Sequence, residues 1–100
     1  MQFVVYALDK PGTGSLRATH RDAHRGRLEN HEYPLRIIFA GPLLGDEDRV
    51  IGSLFLIESD TVENVRAFVG TDPYWIAGVY ESVAVHPFRA VIGSVGGGET

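Results

Sequence analysis

Four segments of this 100-residue chain are rich in β-branched and aromatic residues, and two helical patterns lie between them in the order β-α-β-β-α-β. The strand patterns cover residues 2–8, 35–40, 49–58 and 79–88. This order is the split βαβ arrangement of a ferredoxin-like sheet, and a chain of this length holds one core. The sequence therefore predicts an α+β domain over residues 1–93 with an antiparallel four-stranded sheet, followed by a flexible glycine-rich tail over 94–100.

The strand patterns are apolar on both faces of the predicted sheet. In the first strand, the residues on both faces are apolar: Phe3, Val5 and Ala7 on one face, and Val4, Tyr6 and Leu8 on the other. Two helices can cover only one face, and a large exposed apolar patch usually marks an interface. The sequence therefore predicts a homodimer that packs sheet against sheet.

Charge and composition narrow the class of partner. The formal net charge is −4, whereas nucleic-acid binding needs a sustained basic face. No apolar run approaches the roughly 18 residues of a membrane span, and the first residues lack the pattern of a signal peptide. The absence of cysteine excludes disulfides and thiolate metal sites in this sequence. We expect a cytoplasmic protein whose partners are a second copy and a small molecule, with no nucleic acid and no membrane.

The first helical pattern, from Leu16 to about His31, carries two histidines on its inner stripe, His20 and His24. Residues four apart lie on one side of a helix, so both rings could bind a metal with a third ligand. Candidates for that ligand are His31, Glu29 and Asp72. The alternative is one exposed histidine and one functional or structural histidine, and we expect no metal.

Asp72 stands in the segment Thr71-Asp72-Pro73-Tyr74. An aspartate before a proline is a common helix N-cap, and capping alone would explain this residue. In a βαββαβ fold, however, the loop before the last strand lies close to the first helix. Asp72 could then accept a hydrogen bond from His24, fix its tautomer and leave the other ring nitrogen as a general base.

Arg17 and Ser53 are candidate binding residues. Four arginines crowd the first helix, either as a solvated face or with Arg17 meeting an anionic ligand: Arg17, Arg21, Arg25 and Arg27. Ser53 interrupts an apolar strand, so its hydroxyl either faces the cavity or is satisfied within the sheet. Tyr6 is a further candidate for a phenol in the pocket, whereas Tyr74 and Trp75 are expected as pocket walls or core residues.

Two local features of the chain are also predicted from the sequence. Gly41-Pro42 is expected to form a turn or a strand bulge. Asp60, with Glu63 three residues later, is expected to cap the second helix.

Five short motifs in the same order resemble the YCII-like family. They are Arg17-x6-His24, Phe39-Ala40-Gly41-Pro42-Leu43, Gly52-Ser53, Asp72-Pro73-Tyr74-x2-Ala77-Gly78 and Val85-x-Pro87-Phe88. The resemblance implies a ferredoxin-like dimeric α/β barrel, a catalytic pair formed by His24 and Asp72, and Arg17 and Ser53 in the cleft. One member of that family is a dehydrochlorinase of a chlorinated hydroxyhydroquinone. The chain departs from its relatives at His20 and at Arg25-Gly26-Arg27, where they tend to carry apolar or aromatic residues.

These observations favour a cofactor-independent acid/base enzyme. His24, oriented by Asp72, would move a proton in an isomerase, lyase or hydrolase step on a small phenolic or carbonyl substrate. Arg17 would stabilise developing negative charge. One alternative is a non-catalytic dimeric module that binds a metabolite in the same cleft, and another is a metal- or haem-using protein that depends on the histidines.

Overall fold

The computed structural model describes residues 1–93. Its strands are β1 (Gln2–Asp9), β2 (Leu35–Leu44), β3 (Val50–Ser59) and β4 (Tyr80–Phe88). Its helices are α1 (Gly14–Glu29), α2 (Val62–Gly70) and α3 (Pro73–Ile76), with a 3₁₀ turn at Asp46–Asp48. The predicted glycine-rich tail at 94–100 lies outside these residues.

The four strands form one antiparallel sheet in the order β2-β3-β1-β4. This confirms the predicted ferredoxin-like α+β fold. The sheet is open, not a closed barrel, so the dimeric α/β barrel stays a prediction. No helix within residues 1–93 is long and apolar enough to cross a membrane.

The core lies between one face of the sheet and the helices. The main cluster combines inward-facing residues of β1 and β3 with the apolar stripe of α2: Phe3, Val5, Phe55, Ile57, Val65, Phe68 and Val69. A smaller cluster of Ala7, Tyr74, Val79 and Tyr80 lies at the other end of the same face. The contribution of α1 is mostly polar, and His24 is its only buried residue.

The opposite face of the sheet carries apolar side chains that no helix covers. Tyr6, Phe39 and Phe88 are exposed there, at 44%, 43% and 45% of their surface. Tyr6 pairs with Leu54 across the sheet, in the register opposite to the core. The hypothesis that Tyr6 contributes a phenol to the pocket is therefore wrong, because side chains alternate between faces.

Two local predictions also need correction. Gly41 and Pro42 continue β2 against Leu54 and Ser53, where a turn or bulge was expected. Proline is tolerated there because β2 is an edge strand. The cap of α2 is Thr61, whose side chain accepts from the Asn64 amide at 3.2 Å; the pattern had favoured Asp60.

Candidate functional site

His24 and Asp72 meet between α1 and the start of α3. The distance from His24 Nδ1 to Asp72 Oδ1 is 2.8 Å, and the two residues are 8% and 1% exposed. An ionised carboxylate only accepts hydrogen bonds, so Nδ1 of a neutral ring carries the proton and donates it. Nε2 is then left with a lone pair. The predicted contact is present, whereas its catalytic role stays a prediction.

Asp72 is also the N-cap of α3. Its Oδ1 accepts a second hydrogen bond from the Tyr74 backbone amide at 2.8 Å, and Pro73 occupies the first turn. Capping and orientation of the imidazole therefore share one oxygen atom. Because the cap fixes the carboxylate rotamer, His24 meets an acceptor that is already in place.

The turn before Asp72 is hydrogen-bonded to α1 and to the segment that follows α1. Arg27 Nη2 donates to the Phe68 carbonyl at 2.6 Å and to the Thr71 hydroxyl. The Tyr33 hydroxyl lies 3.0 Å from the Thr71 hydroxyl, and this contact is the main cause that lowers the Tyr33 pKa. These bonds hold the residue immediately before Asp72.

Aromatic rings fix the plane of the imidazole. The Tyr74 ring stacks on His24 with centroids 3.9 Å apart and planes 12° apart. Phe55 meets His24 edge-on at 5.9 Å and 77°. The sequence predicts Tyr74 as a pocket wall or core residue, and its exposure of 1% agrees with that prediction.

Arg17 lies on α1 two turns before His24 and is held by a carboxylate and by strand β3. Its Nε donates to Asp9 Oδ2 at 2.9 Å, and its Nη2 donates to the Gly52 carbonyl at 2.9 Å and to Ser53 Oγ at 2.7 Å. Burial lowers the Arg17 pKa, but the hydrogen bond and charge of Asp9 outweigh it and leave the pKa above its ordinary value. Arg17 Cζ also lies 4.6 Å from the Tyr74 ring centroid.

Ser53 is buried and accepts two hydrogen bonds. The second comes from the Tyr80 hydroxyl at 2.9 Å. Burial, with a contribution from the charge of Asp72, raises the Tyr80 pKa, so this phenol stays protonated and donates. Since both acceptor positions of Ser53 Oγ are used, its own proton is available to a ligand.

Asp9 and Tyr80 were not found by sequence reasoning. They face each other across the β1–β4 pair, beyond an irregularity between Leu8 and Asp9. A carboxylate at the end of the first strand was the only available signal for Asp9. Tyr80 had no signal, because an aromatic residue at the start of a strand is ordinary.

A cavity of about 530 Å³ lies between α1 and the sheet. This is within the range of small-molecule sites. Its lining is Arg17, Arg21, His24, Arg25, Leu28, Ala40, Gly41, Pro42, Val50, Ser53, Phe55 and Tyr74. The structure therefore brings three predicted residues, Arg17, His24 and Ser53, to one cavity, with Asp72 directly behind the imidazole.

Residues 1–93 contain no set of side chains that could bind a metal ion. No group of three or more His, Cys, Asp or Glu side chains comes together there as a metal site requires. His20 does not line the cavity that His24 lines. His86 is exposed and pairs with Val4 on the open face of the sheet.

Comparisons with known proteins agree with this architecture. The protein YciI of Escherichia coli is 35% identical over 97 residues, covering 91% of this chain and 99% of that protein. Among solved structures, the 5-chloro-2-hydroxyhydroquinone dehydrochlorinase TftG of Burkholderia phenoliruptrix, in complex with 2,5-dihydroxybenzoquinone, superposes with a TM-score of 0.78 at 30% identity. That match covers 89% of this chain and 94% of TftG.

A more distant structure, At3g17210 of Arabidopsis thaliana, has a TM-score of 0.52 at 15% identity and shares the fold alone. It covers 94% of this chain and 98% of its own. The family model of the YCII-related domain matches residues 1–89. The chain belongs to the YCII-related domain family.

Proposed function

We propose that this protein is a cofactor-independent enzyme that moves a proton on a small phenolic or carbonyl substrate, with His24 as the base. The observation that carries the proposal is the 2.8 Å contact between His24 Nδ1 and Asp72 Oδ1 at the wall of the cavity. A carboxylate that accepts a hydrogen bond from one imidazole nitrogen leaves the other nitrogen able to accept a proton from a substrate.

In the proposed step, His24 Nε2 takes a proton from a carbon or hydroxyl of the substrate. The electron pair of the broken bond moves towards a neighbouring carbonyl oxygen or expels a leaving group. Asp72 stabilises the imidazolium that forms, as the aspartate of a triad does. The protonated imidazole then returns its proton elsewhere on the product or to water.

Arg17 and Ser53 are the proposed stabilisers of developing negative charge. Arg17 Nη1 makes no hydrogen bond within residues 1–93, whereas Nε and Nη2 are committed to Asp9, Gly52 and Ser53. Arg17 and Ser53 border the same cavity as His24. Donors that are held before the reaction need little reorganisation during it.

The similarity to TftG supports an elimination or a related proton transfer. TftG is a dehydrochlorinase whose complex holds a dihydroxybenzoquinone. Removal of hydrogen chloride needs a base for the proton, and His24 is the group in this cavity that can supply one.

The test is a screen of chlorinated hydroquinones, phenols and carbonyl compounds, with chloride release and solvent deuterium incorporation as readouts. We expect one compound class to turn over with the wild type and to lose turnover in His24→Ala. His20→Ala is the matched control, because it removes an imidazole one turn away on the same helix. Turnover that survives His24→Ala contradicts the assignment, and binding without turnover across the screen favours the non-catalytic module.

We also propose that the protein is a cytoplasmic homodimer joined through the open face of the sheet. The support is the exposed apolar set on that face, which includes Tyr6, Phe39 and Phe88. A second copy would remove these side chains from water.

A further inference from the structure

We infer that the ligand of this cavity is an organic anion, with a carboxylate or phosphate head group bound by Arg21 and Arg25 and an apolar body against the inner wall. The inference uses the cavity of the proposed enzyme, but it concerns binding and does not require His24 to act as a base.

The charge of the cavity lining is the first support. Three arginines line it together with His24, and neither aspartate nor glutamate is among the lining residues. The whole chain has a formal net charge of −4, so the cavity differs in sign from the rest of the protein. A concave surface with charge of one sign concentrates ligands of the opposite sign.

The second support is the difference between Arg17 and the other two arginines. Arg17 is neutralised by Asp9 at 2.9 Å. Arg21 and Arg25 form neither a salt bridge nor a side-chain hydrogen bond within residues 1–93, and both are exposed at the rim. Like charges four positions apart on a helix repel each other. An anion between the two guanidinium groups would relieve that repulsion and accept charge-assisted hydrogen bonds.

The third support is the apolar wall that faces these arginines. It consists of Leu28, Ala40, Pro42, Val50 and Phe55. A free inorganic anion would leave this apolar wall exposed to water, whereas a ring or short chain attached to the head group would cover it. Burial of apolar surface would then add to the affinity.

The position of the arginines along α1 places the head group beside the proposed base. Arg21 precedes His24 by three residues, which is roughly 4.5 Å along a helix axis. In a ligand whose head group binds Arg21 and Arg25, the bond that faces His24 would therefore lie only a few atoms from that head group.

The test compares matched ligands by isothermal titration at low salt. The pairs are benzoate with benzamide and phenyl phosphate with phenol, and inorganic phosphate alone is the fifth probe. We expect each organic anion to bind at least about tenfold more tightly than its neutral partner and more tightly than inorganic phosphate. The double variant Arg21→Gln/Arg25→Gln is expected to lose that preference.

The matched control is Arg66→Gln/Arg89→Gln, which removes the same charge from exposed positions outside the cavity lining. It should keep the preference, and so should His24→Ala. Anion binding that survives in His24→Ala while turnover is lost separates this inference from the proposed chemistry. The inference is overturned if neither organic anion binds, if the neutral partners bind equally well, or if the control double variant loses as much as the cavity double variant.

Discussion

His24 Nδ1 and Asp72 Oδ1 lie 2.8 Å apart although 48 positions separate the two residues in the chain. The carboxylate oxygen that meets the imidazole also caps α3 through the Tyr74 amide. The orientation of the proposed base thus depends on a local feature of helix initiation, and the two roles can be separated by substitution.

Asp72→Ala should destabilise the protein more than the loss of an ordinary cap does. It removes the bond to the Tyr74 amide and leaves the His24 Nδ1–H buried without an acceptor. We expect a loss of about 2–4 kcal/mol in the free energy of unfolding, the sum of a lost cap and an unsatisfied donor. Urea denaturation measures it. Thr61→Ala, which removes a cap alone, should cost about 1 kcal/mol, and equal losses for the two variants contradict the double role.

Tyr80 should make the folded state sensitive to alkaline pH. Its pKa is raised in the folded protein by burial and by the charge of Asp72, so folding favours the protonated phenol. The stabilisation is complete below the ordinary tyrosine pKa of about 10 and is lost as the pH rises above it. Tyr80→Phe cannot lose a proton there. Its unfolding free energy should fall less steeply above about pH 10, and at neutral pH it should be lower by about 1 kcal/mol for the missing bond to Ser53.

Urea denaturation of both proteins at several values between about pH 8 and pH 11 gives the comparison. If the wild type and Tyr80→Phe lose stability in parallel across that range, the buried phenol does not titrate as described.

Gly52→Ala should damage the site through the backbone. A Cβ at Gly52 would overlap with the Ala7 carbonyl oxygen, which belongs to the backbone of the neighbouring central strand. The Gly52 carbonyl also accepts from Arg17. We expect a loss of about 1–3 kcal/mol in unfolding free energy, as in other overpacked interiors. Gly41→Ala, on the adjacent strand with nothing within 4 Å of the added carbon, is the control. A Gly52→Ala protein as stable as that control would show that the strand spacing adapts.

The open face of the sheet should control the oligomeric state. Phe39→Glu and Tyr6→Glu place charges in the proposed interface and should convert a dimer to a monomer in light scattering coupled to gel filtration. Trp75→Glu alters a residue of the same exposure, 43%, beside α2, and should leave the dimer intact. A wild type that is monomeric at all tested concentrations contradicts the interface.

The order of the elements could be predicted because apolar residues recur with different periods in strands and in helices. Each segment of this chain also has the residue types that favour one of the two structures. The face on which Tyr6 lies could not, since β1 is apolar at both parities and a shift of one residue exchanges the faces. The start of α2 was misplaced by one residue because Asp60 and Thr61 are both good caps.

The candidate site also combines contacts that could be predicted from the sequence with contacts that could not. His24 and Asp72 could be predicted to meet because the fold brings the turn before the last strand to the first helix. The bonds of Arg17 to Asp9 and of Tyr80 to Ser53 could not be predicted, because they depend on the register of β1 with β3 and β4. The register of the strands is set by the packing of the whole sheet and leaves no local pattern in the sequence.

The proposed function requires that Asp72 holds His24 with the proton on Nδ1 and the lone pair on Nε2. The most direct measurement is the set of ring ¹⁵N chemical shifts of His24 in labelled protein, at a pH where the ring is neutral. We expect a protonated Nδ1 and an unprotonated Nε2. A proton on Nε2, the tautomer that an unconstrained histidine prefers, would contradict it.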